Sequence, residues 1–179
     1  MSTLNATTVK VNSIIPVAGV PSGGGGGIVQ VIQGTTSTEV ASTANTYADT
    51  GLSVTITPKS NTSKILIIVS QAYENSRSSS DQALSGIRLL RDSTVIEQGP
   101  NDGSGNQPHL MGSRGASSDT TFAERYNLTM IDSPSTTSAI TYKTQHACRS
   151  TGNSYRIKCQ PAGAAEDPTS YITAMEISA

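Results

Sequence analysis

The side chains best suited to catalysis or metal binding in this 179-residue sequence are two histidines and two cysteines. His109 follows Pro108 in a segment rich in glycine and asparagine, whereas His146 falls within a predicted strand, on the same side as Cys148. A zinc site needs several converging ligands at characteristic spacings, and this pattern does not supply them. We therefore interpret both histidines as structural residues.

One loop has the alternating oxygen-bearing side chains of a calcium-binding loop, over residues 102–106. However, Gln107 occupies the position of the sharp-turn glycine, and Ser113 occupies that of the bidentate glutamate. The sequence also lacks the Gly-x-Ser-x-Gly elbow of serine hydrolases and the Gly-Lys-Ser/Thr of a phosphate-binding loop. These observations predict a protein that is not an enzyme and that uses no cofactor or metal.

The two cysteines are predicted to be free. Residues 140–149 and 154–160 have strand character on either side of the loop 150–153, a pattern that predicts a hairpin. Pairing these strands places Cys148 and Cys159 four residues apart along the ladder, about 13 Å, which is too far for a disulfide. We therefore expect two buried thiols.

The composition predicts which elements position these side chains. Ser and Thr together number 49, charged residues make up 14%, and the chain has one Phe and no Trp. Hydroxyl side chains compete with the helix backbone, whereas Thr suits strands, so this composition favours an all-β protein. The few aromatic residues limit the apolar area that one copy can bury, so we expect the chain to form oligomers.

The charge pattern argues against two kinds of partner. The net charge is −1 and no run of Lys or Arg occurs, whereas binding to nucleic acid needs a basic surface. The longest apolar stretches, residues 14–20 and 65–69, are much shorter than the ~20 residues that span a bilayer, and the first residues lack the pattern of a signal peptide. We expect no binding to nucleic acid or membrane, and synthesis in a cytoplasm.

The apolar residues after the glycine run alternate as they do in half-buried strands. Leu52, Val54 and Ile56 fall on one side of a strand that Pro58 ends. The segment 65–69 is apolar on both sides, as in a central strand or one that also lies at a subunit contact. About eight to ten such short strands predict a single jelly-roll-like antiparallel β-sandwich over residues 28–179.

The first 27 residues have a different character. Residues 1–22 have Val9 and Val11 in alternation and then the apolar residues 14–17, without a helical stripe. This pattern predicts an extended N-terminal arm that attaches to a partner; a disordered leader is the alternative. A run of five glycines then forms a flexible hinge. The candidate contact residues of the arm are Val9, Val11, Ile14, Ile15 and Val17, and the hinge consists of Gly23, Gly24, Gly25, Gly26 and Gly27.

A long irregular segment, residues 99–119, interrupts the strands. It has five glycines, two prolines and clustered Asn, Asp and Ser, the composition of a surface loop that serves in recognition. We predict that it lies at the presented end of the domain. Its candidate recognition residues are Asn101, Asp102, Asn106, His109 and Arg114.

Several phrases of the sequence together resemble the tail-fibre-like and decoration proteins of tailed bacteriophages, especially marine and cyanobacterial ones. They are residues 9–14, 28–33 after the glycines, 50–58, 86–94 and 170–177. The likeness covers nearly the whole chain and consists of structural phrases, not catalytic motifs. It implies a homotrimeric β-domain on the virion surface.

The size of the chain helps to distinguish between the two functions that this likeness implies. One arm and one head, without a long repetitive shaft, favour a capsid decoration protein, of the cement or head-fibre kind. Its arm would bind the major capsid protein or another virion protein. A short tail fibre that binds a host surface glycan is the alternative. A carbohydrate-active enzyme is disfavoured, because no isolated pair of carboxylates lies in aromatic surroundings.

Overall fold

The computed structural model describes residues 27–77, 83–98, 111–113, 120–148, 155–162 and 168–178. The arm residues, Gly23 to Gly26, and the candidate recognition residues of the segment 99–119 lie outside the described residues. Two antiparallel sheets pack face to face in the described part of the chain, which confirms the predicted β-sandwich. This part contains no helix long and apolar enough to cross a membrane.

The described residues form eleven strands, somewhat more than the eight to ten expected, because two of them have only three residues. In chain order they are β1 (Ile28–Thr36), β2 (Val40–Ser42), β3 (Ala48–Ile56), β4 (Lys64–Arg77), β5 (Ala83–Arg91), β6 (Thr94–Glu97), β7 (Met111–Ser113), β8 (Thr120–Asp132), β9 (Ile140–Cys148), β10 (Tyr155–Cys159) and β11 (Ser170–Ile177). The six-stranded sheet contains β1, β2, β4, β8, β10 and β11, and the five-stranded sheet contains the others.

Strand β4 is the centre of the six-stranded sheet, as the doubly apolar segment 65–69 predicted. It pairs with β8 along one edge and with β11 and then β10 along the other. Its alternate residues Ile65, Ile67 and Val69 are buried between the sheets. Because pairing on both edges satisfies its backbone, β4 can extend through the whole length of the sandwich.

The five-stranded sheet supplies the opposite half of the core. The predicted alternation of Leu52, Val54 and Ile56 in β3 is confirmed, since all three are at most 4% exposed. Strands β5 and β6 form an antiparallel hairpin. Its turn residue Asp92 has φ of 53°, and its carboxylate accepts a hydrogen bond from the Thr141 amide at 2.8 Å.

The predicted hairpin of β9 and β10 is wrong. Strand β9 pairs with β3 and β5 in the five-stranded sheet, whereas β10 pairs with β4 and β2 in the other sheet. Strands β9 and β10, although consecutive in the chain, therefore lie in different sheets. The physical reason is the length of β4, because Tyr73–Arg77 extends beyond the segment paired with β11 and offers β10 an edge.

A polar clamp joins the two sheets near the end of β8. The Asp132 carboxylate accepts hydrogen bonds from Arg91 Nη1, at 2.9 and 2.8 Å, and from the Tyr142 hydroxyl at 2.8 Å. Burial, and then the hydrogen bond to Asp132, raise the pKa of Tyr142, so its hydroxyl stays protonated and donates. One carboxylate of the six-stranded sheet thus holds two strands of the five-stranded sheet.

Candidate functional site

The surface that distinguishes this sandwich is the outer face of its six-stranded sheet. Strands β1, β11, β4 and β8 lie side by side there. The register places Val31 opposite Met175, Met175 opposite Leu66, and Leu66 opposite Ile131. Their neighbours along each strand point into the core, so these four side chains form a continuous line across four strands, which we call the apolar row.

The apolar row is largely open to solvent. Val31 is 54% exposed and Ile131 is 56% exposed, while Leu66 and Met175 are partly exposed. Ile68, which lies two residues after Leu66 on the same side of β4, is 37% exposed. Single exposed apolar residues are common on protein surfaces, but a contiguous apolar patch indicates an interaction site.

Most outward positions around the apolar row are uncharged. The outward positions of residues 31–35, 171–177, 66–70 and 127–131 are occupied by apolar, hydroxyl, phenol and amide side chains only. Charge appears at the perimeter, at Lys64, which is exposed and pairs with Ile177, and at Arg125, whose guanidinium donates to Ser70 Oγ at 3.0 Å and to the Thr169 carbonyl at 2.7 Å. We call these thirteen outward positions the outer face.

The opposite surface, on the five-stranded sheet, is polar and hydrogen-bonded within itself. Asp49 accepts hydrogen bonds from Lys143 at 2.8 Å and from Gln145 at 2.7 Å. Arg88 donates to Gln145 Oε1 at 3.0 and 2.6 Å and stacks on Tyr47, 3.6 Å from the ring centre. Partial burial alone raises the pKa of Asp49, but these hydrogen bonds outweigh burial and lower it. This polar surface is well solvated, whereas the outer face of the six-stranded sheet is largely apolar.

The candidate catalytic side chains are held in the core. His146 Nδ1 lies 3.4 Å from Cys159 Sγ, and neither residue is exposed. Burial lowers the pKa of His146 to about 4 and raises that of Cys148 to about 11; it also raises the pKa of Cys159. At neutral pH the imidazole is uncharged and both thiols are protonated, which supports the structural interpretation of His146.

No three His, Cys, Asp or Glu side chains within the described ranges are grouped to hold a metal ion. One surface pocket, beside β2, is lined by Ala41, Ser42, Thr43 and Arg156 and has a volume of about 420 Å³. A smaller one, of about 130 Å³, lies between β3 and β9. Neither pocket is lined by a cysteine or a histidine.

The cysteines provide a direct test of this core. Both are free, as predicted, and both are buried. We expect iodoacetamide to modify neither thiol in the native protein and both thiols in 6 M guanidinium, without any reductant. Intact-mass measurement gives the number of modified thiols. Rapid modification of native Cys159 would contradict its burial against His146, and no modification after unfolding would show a disulfide.

Comparison with protein-family models and with curated protein sequences finds no match to this chain. Of the residues predicted to form the arm, the hinge and the recognition loop, Gly27 lies within the described part. The Gly27 carbonyl accepts hydrogen bonds from the Ser178 amide at 3.0 Å and the Ser178 hydroxyl at 3.3 Å. The segment before Gly27 therefore joins the sandwich at the edge strand β1, beside the outer face.

Proposed function

We propose that this chain is a non-enzymatic structural protein of a tailed-phage particle, a homotrimeric capsid decoration protein anchored by its N-terminal arm. The observation that carries the proposal is the apolar row on an uncharged sheet face. A monomeric domain gains nothing from exposing such a row, whereas a subunit that assembles on a surface uses it for contact. The sequence resemblance to phage decoration proteins supports the same function.

The position of Gly27, to which the arm and hinge connect, is consistent with this function. Gly27 precedes β1, which is an edge strand of the six-stranded sheet, so residues 1–26 continue from the sheet that carries the apolar row. Anchoring through the arm and contact through the outer face can then act together. The arm partner is the major capsid protein or another virion protein, and the location is the virion surface after synthesis in the host cytoplasm.

The arm residues provide the test of anchoring. We expect Ile14→Asp/Ile15→Asp to abolish incorporation into particles, because a charged side chain cannot take the apolar contact that each isoleucine offers, worth about 1.5–3 kcal/mol when buried. Incorporation is measured by mass spectrometry of purified virions from cells that express the variant. The matched control is Thr7→Asp/Ser13→Asp, which adds the same charge to polar positions of the arm.

Imaging of antibody-labelled particles then shows whether the protein lies on the capsid or on the tail. Antibody labelling on the capsid supports decoration, and labelling confined to the tail would overturn it in favour of a short fibre that binds the host. Incorporation of the isoleucine variant at the level of the control would show that the arm is not the anchor.

A further inference from the structure

We propose that the outer face of the six-stranded sheet packs against the same face of other copies of this chain, with the apolar row at the centre of the contact. The inference rests on the proposed assembly and names the surface and the partner. In a closed trimer, the outer faces would turn towards the three-fold axis, and each would contact both neighbours. The occupant of the face is thus a second copy.

Charge is the first argument for a second copy. None of the thirteen outward positions carries a charged side chain, and the whole chain has a net charge of −1. The centres of two identical outer faces therefore meet without like-charge repulsion, since Lys64 and Arg125 lie at the perimeter. A partner with a charged surface would lose the hydration of its charges and would find no opposite charge in return. An uncharged, apolar surface is the best complement, and this chain provides one.

Shape is the second argument. The sheets of proteins twist with one hand, so identical copies present faces of the same twist around a three-fold axis. A second copy offers a face of the same four-strand width and the same twist. Val31 and Ile131 stand at the two ends of the apolar row and are each more than half exposed, so the row can make contact along its whole length.

The size of the face predicts how strong this association is. Four strands about 4.8 Å apart, with five to seven residues of about 3.3 Å in each, give a projected area of about 320–440 Å². Stable interfaces bury about 800 Å² of accessible surface on each partner, and smaller ones belong to weaker complexes. The outer face alone is therefore expected to support association that depends on concentration in the micromolar range.

Sedimentation of the full-length protein tests the proposal. We expect wild type to associate reversibly between about 1 and 100 µM. Val31→Asp should weaken the association by at least about 100-fold, because it removes an apolar contact and buries an unpaired carboxylate. The matched control is Val95→Asp, in β6 of the five-stranded sheet. Val95 is an exposed valine too, at 38%, and its variant should associate within about threefold of wild type.

A second variant, Ile131→Asp, tests the other end of the apolar row and should weaken association to a similar degree. Circular dichroism and urea unfolding confirm that each variant is folded. A wild-type protein that stays monomeric at about 100 µM would overturn the proposal. Equal association of Val31→Asp and wild type would also overturn it, as would equal weakening by Val95→Asp. Because purified protein is used without particles, this outcome is independent of incorporation into virions.

Discussion

Replacing Gly34 with alanine is expected to destabilise the sandwich by about 3 kcal/mol or more. Gly34 lies in β1 opposite Ile172 and faces the five-stranded sheet. An added Cβ would lie 1.9 Å from the carbonyl oxygen of Ser53 and 2.9 Å from its carbonyl carbon. These are backbone atoms of β3, so no rotation of a side chain can relieve the clash. The edges of the two sheets would have to separate.

Two other glycines provide controls for this prediction. Nothing lies within 4 Å of a Cβ added to Gly27, so Gly27→Ala should change the free energy of unfolding by less than about 0.5 kcal/mol. Gly51 has φ of +81° but has only an ordinary contact, so Gly51→Ala should cost about 1–2 kcal/mol of backbone strain. Urea unfolding measures all three, and a Gly34→Ala variant as stable as Gly27→Ala would contradict the close approach.

The close approach has a visible cause in β3. The pairing of β3 with β9 shifts register between Asp49 and Ser53, where three residues of β3 lie opposite one residue of β9, and Gly51 lies within this irregularity. Such an irregularity bends its strand and changes the direction of the backbone. In this case it brings the Ser53 carbonyl towards β1, and the absence of a side chain at Gly34 leaves room for it. The two glycines therefore act together to close one edge of the sandwich.

Local periodicity in the sequence was enough to predict the fold class and the core side of several strands. The alternation of Leu52, Val54 and Ile56 and the doubly apolar segment 65–69 each determine burial from neighbouring residues alone. The turn at Asp92 is also local. Such features were predictable because a strand with period two has one side for the core, whichever strand lies beside it.

Pairing between distant strands was not predictable in the same way. Strand β10 has an alternation that fits either β9 or β4, and only the length of β4 decides between them. The apolar row was unpredictable for the same reason. Leu66, Ile131 and Met175 come from three distant segments, and their alignment follows from the register of the assembled sheet. The sequence does indicate that residues 65–69 are apolar on both sides, but not what lies beside them.

The buried polar side chains were missed for a related reason. Gln160 and Gln71 are fully buried, and no sequence pattern identifies them as core residues. When the Gln160 amide nitrogen donates to the carbonyls of Thr38 and Thr50, at 3.2 and 3.1 Å, its oxygen accepts from Gln71 Nε2 at 3.1 Å. These partners come from distant parts of the chain, so the side chain is satisfied only after the fold has formed.

Glu176 is the buried carboxylate on which stability should depend most strongly. It lies in β11 with no exposed surface. Its carboxylate accepts hydrogen bonds from Gln30 Nε2 at 2.5 Å, from the Lys59 amide at 2.7 Å and from the Ser60 amide at 3.4 Å. Burial alone raises the pKa of Glu176, but these hydrogen bonds outweigh burial and hold the pKa below its ordinary value. One side chain thus ties β1 and the loop before β4 to β11.

We therefore expect Glu176→Gln to lower the free energy of unfolding by about 2 kcal/mol at pH 7, because the amide places an NH₂ group among donors and loses the charge-assisted hydrogen bonds. A carboxylate with a lowered folded pKa stabilises above its unfolded pKa of about 4.3, and this stabilisation is lost as the pH falls towards the folded pKa. The difference between wild type and Glu176→Gln should therefore shrink as the pH is lowered from 5 to 3.

Urea unfolding at several pH values measures this difference. The matched control is Glu124→Gln, an exposed glutamate of β8, which should change stability by less than about 0.5 kcal/mol. The comparison isolates the buried site from the general effect of removing one negative charge. A Glu176→Gln variant whose stability relative to wild type stays constant between pH 7 and pH 3 would show that the carboxylate is not the charged acceptor of these hydrogen bonds.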